Sequence, residues 1–130
     1  MEECESVSTR LQTDLEAVAV SATGREGVVW ALDGGEDLNA KLVHFGAGRD
    51  VGEHVNDEVD VVFVGVSGAG FVEVDGRAHA LEAGKPVFVP KGVKRSTRGV
   101  SENFAYLTVH GWHGPLRIEA KPEPQQARKS

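Results

Sequence analysis

The chain has 130 residues, of which 40% are hydrophobic and 26% charged, which is enough for one folded domain with a single core. Its 20 acidic and 14 basic residues give a net charge of −6, and Cys4 is the only cysteine, so a broadly basic nucleic-acid-binding face and an intrachain disulfide are both excluded. No apolar run approaches the roughly 20 residues that span a bilayer, and residues 1–10 lack the basic-then-apolar pattern of a signal peptide. We expect a cytoplasmic protein that binds neither membrane nor nucleic acid.

The predicted elements are short strands separated by glycine-rich turns. The first segment, residues 11–20, is ambiguous, because Leu11, Leu15 and Val18 are spaced for one helix face whereas Val18 and Val20 alternate as in a strand. Seven later segments are predicted as strands, over residues 28–32, 38–45, 59–66, 71–74, 77–81, 86–89 and 104–110. Asp75-Gly76 is a strong hairpin signal between two of them. Eight or more short strands at this spacing predict an all-β sandwich or barrel.

Three of these segments carry more detailed expectations. The alternation in residues 38–45 predicts one buried face, and the near-continuous apolar run in residues 59–66 predicts a strand buried on both faces. Four bases lie within eight residues, Lys91, Lys94, Arg95 and Arg98, and are predicted to form a solvated loop. Residues 1–9 are predicted to be a flexible N-terminus, residues 10–120 the barrel domain and residues 121–130 a disordered tail.

Two glycine-framed motifs follow one another in the middle of the chain. The first is built from Gly48, His54, Asn56, Val61 and Gly68, and the second from Gly84, Pro90, Gly92, Arg95 and Gly99. Their spacing resembles the two motifs of the cupin superfamily, G-x5-H-x-H-x4-E-x6-G and G-x5-P-x-G-x2-H-x3-N. The resemblance implies a single-domain cupin-type jelly-roll β-barrel.

The resemblance also implies a metal site made of three histidines and one glutamate that point into the barrel mouth. Only His54 matches; Asn56 and Arg95 stand at the other histidine positions and Val61 at the glutamate position. Arginine has no lone pair to donate and would repel a dication, so we predict no metal and no other cofactor. The alternative is a site rescued by Asp60, Glu58 or His44, which would restore a metal-dependent oxygenase or isomerase.

With Arg95 pointing inward, the mouth would hold a guanidinium that recognises carboxylates or phosphates. We therefore predict that the protein binds a small organic anion through His54, Asn56, Arg95, Asp60 and Tyr106. Val61, Phe63 and Phe88 would form apolar walls, Gly65 would leave room, and Lys91, Lys94 and Arg98 would attract the anion. An equally weighted alternative is a salt bridge from Arg95 to Asp57, Glu58 or Asp60.

Two further functions stay open at this point. Some cupins resemble metal-free sugar epimerases, for which His54 would be the base and Tyr106 the acid. The second is a non-catalytic interaction module, since Trp112 beside a proline turn suits a dimer contact. The resemblance also implies a homodimer. Whether the protein is an enzyme is not decided by the sequence.

Overall fold

The computed structural model describes residues 11–33 and 36–111, which form one short helix and nine strands. The helix is α1 (Leu15–Ser21). The strands are β1 (Gly27–Ala31), β2 (Leu38–Phe45), β3 (Asp50–Val55), β4 (Val61–Ser67), β5 (Ala69–Val74), β6 (Arg77–Glu82), β7 (Pro86–Val89), β8 (Lys94–Gly99) and β9 (Phe104–Gly111).

The strands form two antiparallel sheets that enclose one core. The first sheet has the order β1-β2-β9-β4-β7 and the second the order β3-β8-β5-β6. Consecutive strands often lie in different sheets, as in a jelly roll. The core between the sheets contains Phe45, Val61, Phe63, Val72, Leu81, Val89, Phe104 and Tyr106. The all-β jelly-roll prediction is confirmed.

Helix α1 covers part of the outer face of the five-stranded sheet. Asp14 caps the helix by accepting a hydrogen bond from the Ala17 amide, which begins a helix of only seven residues. Ala19 on the helix packs against Leu42 and Ala105 in a second apolar cluster. Both faces of β2 are therefore covered near its end, because Val43 and Phe45 pack into the core from the opposite side.

One end of the barrel is where β3 ends and where β4 and β8 begin. We call this end the mouth; the loops 56–60 and 90–93 border it, and the Gly92 amide donates a hydrogen bond to the Asn56 carbonyl across them. The residues of interest lie on the inner faces of strands at this end. The fold thus gathers side chains from both sheets around one opening.

Most of the predicted strands are confirmed, and two were missed. Residues 50–55 form β3 although no strand is predicted there, and the basic segment predicted as a loop continues into β8. The prediction that residues 59–66 are buried on both faces is wrong, because Val62 is 37% exposed on the outer side of β4. Asp75 and Gly76 both adopt positive φ, as the predicted tight hairpin requires.

Several expectations fall on residues that the structure does not describe. Residues 1–9, predicted to be flexible, Cys4, Trp112 and residues 121–130, predicted to be a disordered tail, all lie outside the described ranges. Within the described ranges, no helix has the length and apolar character needed to cross a membrane.

Gly65 on β4 lies close to the end of β6. A Cβ on Gly65 would overlap the backbone of Glu82, and Gly65 forms an isolated parallel bridge with Ala83, the residue after β6. The sequence suggested that Gly65 leaves space in the mouth, and this prediction is wrong. Its missing side chain instead lets the end of β6 in one sheet approach β4, an interior strand of the other sheet.

We predict that Gly65→Ala lowers the free energy of unfolding by about 1–3 kcal/mol, because a methyl group there must displace backbone rather than a flexible side chain. Gly52→Ala is the matched control, since nothing lies within 4 Å of its Cβ position and its φ is ordinary. Urea titration followed by tryptophan fluorescence measures both. Equal midpoints for the two variants would show that the approach at Gly65 is not tight in solution.

Candidate functional site

His54 and Arg95 lie opposite each other on the inner face of the four-stranded sheet, at the mouth. They are direct partners in the β3–β8 ladder. The register shifts between Val51 and His54, where three steps on β3 match two on β8. This bulge lets Val51 pack against the core while His54, three residues later, also faces inward.

The hydrogen bonds of His54 fix its tautomer. Arg95 Nε donates to His54 Nε2 over 3.2 Å, so that nitrogen carries the lone pair. The other ring nitrogen, Nδ1, lies 3.1 Å from the Gly52 carbonyl oxygen and therefore donates to it. His54 is a neutral imidazole in this arrangement, and its one lone pair is already engaged by the guanidinium.

The guanidinium of Arg95 is also supported from below by an aromatic ring. Its Cζ atom lies 5.5 Å from the centroid of Phe63, within the range of a cation–π contact. Phe63 in turn stacks on Tyr106, with centroids 5.5 Å apart and planes inclined by 16°. His54 and Phe63 together hold Arg95 in one orientation at the top of the core.

Arg95 is partly buried without a counterion. Burial lowers the pKa of the guanidinium, opposed by its electrostatic interaction with Tyr106, but an arginine stays charged at neutral pH. The ion pairs in the described part of the chain are Arg49–Glu26, Lys85–Glu82 and Arg98–Asp50. None involves Arg95, so the predicted salt bridge to Asp57, Glu58 or Asp60 does not form within residues 11–33 and 36–111.

Tyr106 lies deeper than Arg95, in the centre of the core. It is 3% exposed and contacts the rings of Phe45, Phe63 and Phe104. Burial raises its pKa to about 12, although a hydrogen bond with the buried Thr97 and the charge of Arg95 act in the opposite direction. The phenol is therefore a weak acid packed beneath the mouth.

Asn56 and Asp60 lie in the loop between β3 and β4 rather than beside Arg95. The Asn56 side-chain oxygen accepts hydrogen bonds from the amides of Glu58 and Val59, which forms a local turn. Asp60 Oδ1 accepts a hydrogen bond from the Lys91 amide over 2.9 Å and so ties the two mouth loops together. Of the predicted ligand-binding residues, the structure brings together His54, Arg95 and Tyr106.

The residues at the four motif positions do not fit a metal ion. Val61 is buried in the core and offers no ligand atom. The side-chain oxygen of Asn56 already accepts hydrogen bonds from two backbone amides. The lone pair of His54 Nε2 accepts a hydrogen bond from Arg95. A rescued site does not assemble either: His44 is buried on the other face of β2, between the Arg25 carbonyl and the Asn103 side chain. Among the residues described, no three His, Cys, Asp or Glu side chains form a group that could hold a metal.

Two other expectations about the mouth are wrong. Phe88 is 59% exposed and lies on the outer side, so it forms no wall. Arg98 lies on the outer face of β8 and pairs with Asp50, with 3.9 Å between the charged atoms, and so adds nothing at the entrance. Lys94 neighbours Arg95 on the strand and therefore points to the opposite face.

Thr97 is a site residue that sequence reasoning missed. It lies two residues after Arg95 on the same face of β8 and is buried against Tyr106. The available signal was alternation within a strand, but residues 94–99 were not predicted as a strand.

The arrangement of His54 does not favour the proton-transfer hypothesis, because a general base needs a free lone pair and His54 has none in this arrangement.

We predict that Tyr106, the only tyrosine, ionises near pH 12 in the folded protein and near pH 10 in urea. Because the folded-state pKa is the higher one, this group stabilises the fold at pH values below about 10, and that stabilisation is lost as the pH rises through about 12. Absorbance at 295 nm reports its ionisation without interference from other tyrosines. A folded-state midpoint near 10 would contradict the buried position of the phenol.

The comparisons with known proteins agree with this architecture. No protein-family model matches the sequence, and no curated protein matches it. Solved structures do match. A cupin-2 domain containing protein from Shewanella frigidimarina is 18% identical and superimposes with a TM-score of 0.63, over 77% of this chain and 94% of that one.

Two further structures extend the same result. An RmlC-like cupin from Shewanella frigidimarina is 23% identical, with a TM-score of 0.57 over 67% of this chain and 77% of that one. KdgF from a Halomonas species is 19% identical, with a TM-score of 0.61 over 68% of this chain and 80% of that one. The resemblance of the two glycine-framed motifs is thus confirmed at the level of architecture, and the chain has the fold of the cupin superfamily.

Proposed function

We propose that this protein binds a small organic anion, with a carboxylate of the ligand held by the guanidinium of Arg95. The observation that supports the proposal is a partly buried cation at the barrel mouth with no carboxylate partner in the described part of the chain. A buried charge without a partner is unfavourable, and a ligand that brings the opposite charge removes that cost.

The contacts of Arg95 leave its binding edge open. The Nε–H group is used by His54, and the face of the guanidinium lies over Phe63. The four N–H bonds of the two terminal nitrogens then remain for a carboxylate, which a guanidinium binds through two parallel hydrogen bonds. His54 and Phe63 are positioning residues in this proposal, since they orient the fork before the ligand arrives.

Neutral His54 suits this role better than a charged one. A doubly protonated imidazole could not accept the Arg95 hydrogen bond and would repel the guanidinium. As a neutral acceptor it orients Arg95 while leaving the positive charge for the ligand. Homodimer formation and a cytoplasmic location stay predictions.

We predict that Arg95→Met weakens the binding of butyrate, used as the probe carboxylate, by on the order of ten- to a hundredfold, because one charge-assisted contact contributes about 1.5–3 kcal/mol. Lys94→Met is the matched control; it removes the neighbouring positive charge from the outer face and should leave binding within about twofold. Isothermal titration calorimetry at constant ionic strength measures both.

The same variants separate a binding role from a structural one. Since Arg95 is a partly buried charge without a counterion, replacing it by an apolar side chain of similar length should leave the unfolding temperature unchanged or raise it. Unchanged butyrate affinity in Arg95→Met, or a loss of affinity equal to that of Lys94→Met, would refute the proposed function.

A further inference from the structure

We infer that Lys41 supplies a second cation to the same mouth, so that the ligand is an organic dianion with two separate negative groups, of the dicarboxylate class. The inference rests on the proposed function, because it adds a second contact to the anion that Arg95 holds. The register of the five-stranded sheet places Lys41 in the row of residues that faces Arg95.

That row crosses three neighbouring strands. Phe63 on β4 is the partner of Thr108 on β9, and Thr108 is also the partner of Lys41 on β2. Adjacent strands lie about 4.8 Å apart, so the Cα atom of Lys41 is about 10 Å from that of Phe63. Arg95 lies directly over Phe63, with 5.5 Å between its Cζ atom and the ring centroid.

Alternation along β2 puts the Lys41 side chain on the inner face of the sheet. Val43 and Phe45, two and four residues later, both pack against the core, and residues at this spacing share one face of a strand. Lys41 is partly buried, as are Thr108 and His110 on the same side of β9. The alternation was visible in the sequence, where a lysine interrupts an otherwise uncharged face.

Lys41 and Arg95 are both without a carboxylate partner in residues 11–33 and 36–111. Acidic side chains of the four-stranded sheet lie on the other side of it: Asp50, Glu53 and Glu73 line a groove of about 480 Å³ on the outer face. The loop acids Asp57, Glu58 and Asp60 border the mouth but are exposed, and none lies within ion-pair distance of either cation.

This separation of charge gives the inner face two positive groups on opposite walls. One carboxylate ligand neutralises only one of them, and the other stays unpaired in a partly buried setting. A ligand with a carboxylate at each end neutralises both.

The test compares succinate with butyrate, which has the same number of carbons and one carboxylate fewer. Isothermal titration at constant ionic strength should show at least tenfold tighter binding of succinate to the natural protein. Lys41→Met should bind succinate no more tightly than butyrate, whereas Lys41→Arg, which keeps the charge, should retain the preference. Lys94→Met, a lysine on the outer face, should behave like the natural protein.

The outcomes distinguish this inference from the proposed function. Equal affinities for succinate and butyrate, both lost in Arg95→Met and both unchanged in Lys41→Met, would overturn the role of Lys41 and leave the proposed function in place. No measurable binding of either probe to the natural protein would overturn both. If Lys41→Met fails to fold, Lys41→Gln takes its place and should bind succinate no more tightly than butyrate. A Lys41→Gln variant that keeps the preference for succinate would contradict the inference.

Discussion

The candidate site depends on one half-buried guanidinium that has no negative partner among the described residues. Arg95 donates to His54 and lies over Phe63, and these two contacts fix its orientation without neutralising its charge. The motif resemblance implies a metal-ligating histidine at this position. An arginine there has no lone pair for a metal ion and brings a fixed positive charge instead.

The fold makes this arrangement possible through two small backbone features. The bulge in β3 turns His54 inward beside Arg95, and the absence of a side chain at Gly65 lets the end of β6 approach β4. The aromatic rings beneath then fill the barrel, with Tyr106 stacked under Phe63. His54 and Arg95 therefore lie above a packed aromatic core.

The fold was largely predictable from the sequence, because its signals are local. Alternation and tight turns such as Asp75-Gly76 depend on neighbouring residues, and the spacing of glycines and Pro90 is set by the turns of a jelly roll. The strands that were missed, β3 and β8, carry charged or glycine residues at half or more of their positions. Their β structure follows from pairing with each other and with β5 rather than from their own composition.

The site was predictable only in part, because its contacts join residues far apart in the chain. The motif spacing singled out His54 and Arg95, which are 41 residues apart and do touch. The same reasoning suggested Asn56 and Asp60, but Asn56 Oδ1 accepts from a backbone amide of its own loop and Asp60 Oδ1 from the Lys91 amide of the facing loop, which depends on loop conformation. Lys41 was not predicted as a site residue, because no motif includes it. Only the register between β2, β9 and β4 brings it to the mouth.

The most direct test of the central claim is the ¹H–¹⁵N resonance of the Arg95 Nε–H group, assigned by its disappearance in Arg95→Met and followed as butyrate is added. The account predicts a shift that saturates with the same dissociation constant as calorimetry gives. A resonance that does not move at butyrate concentrations that saturate the protein would contradict it, because the anion would then be bound elsewhere.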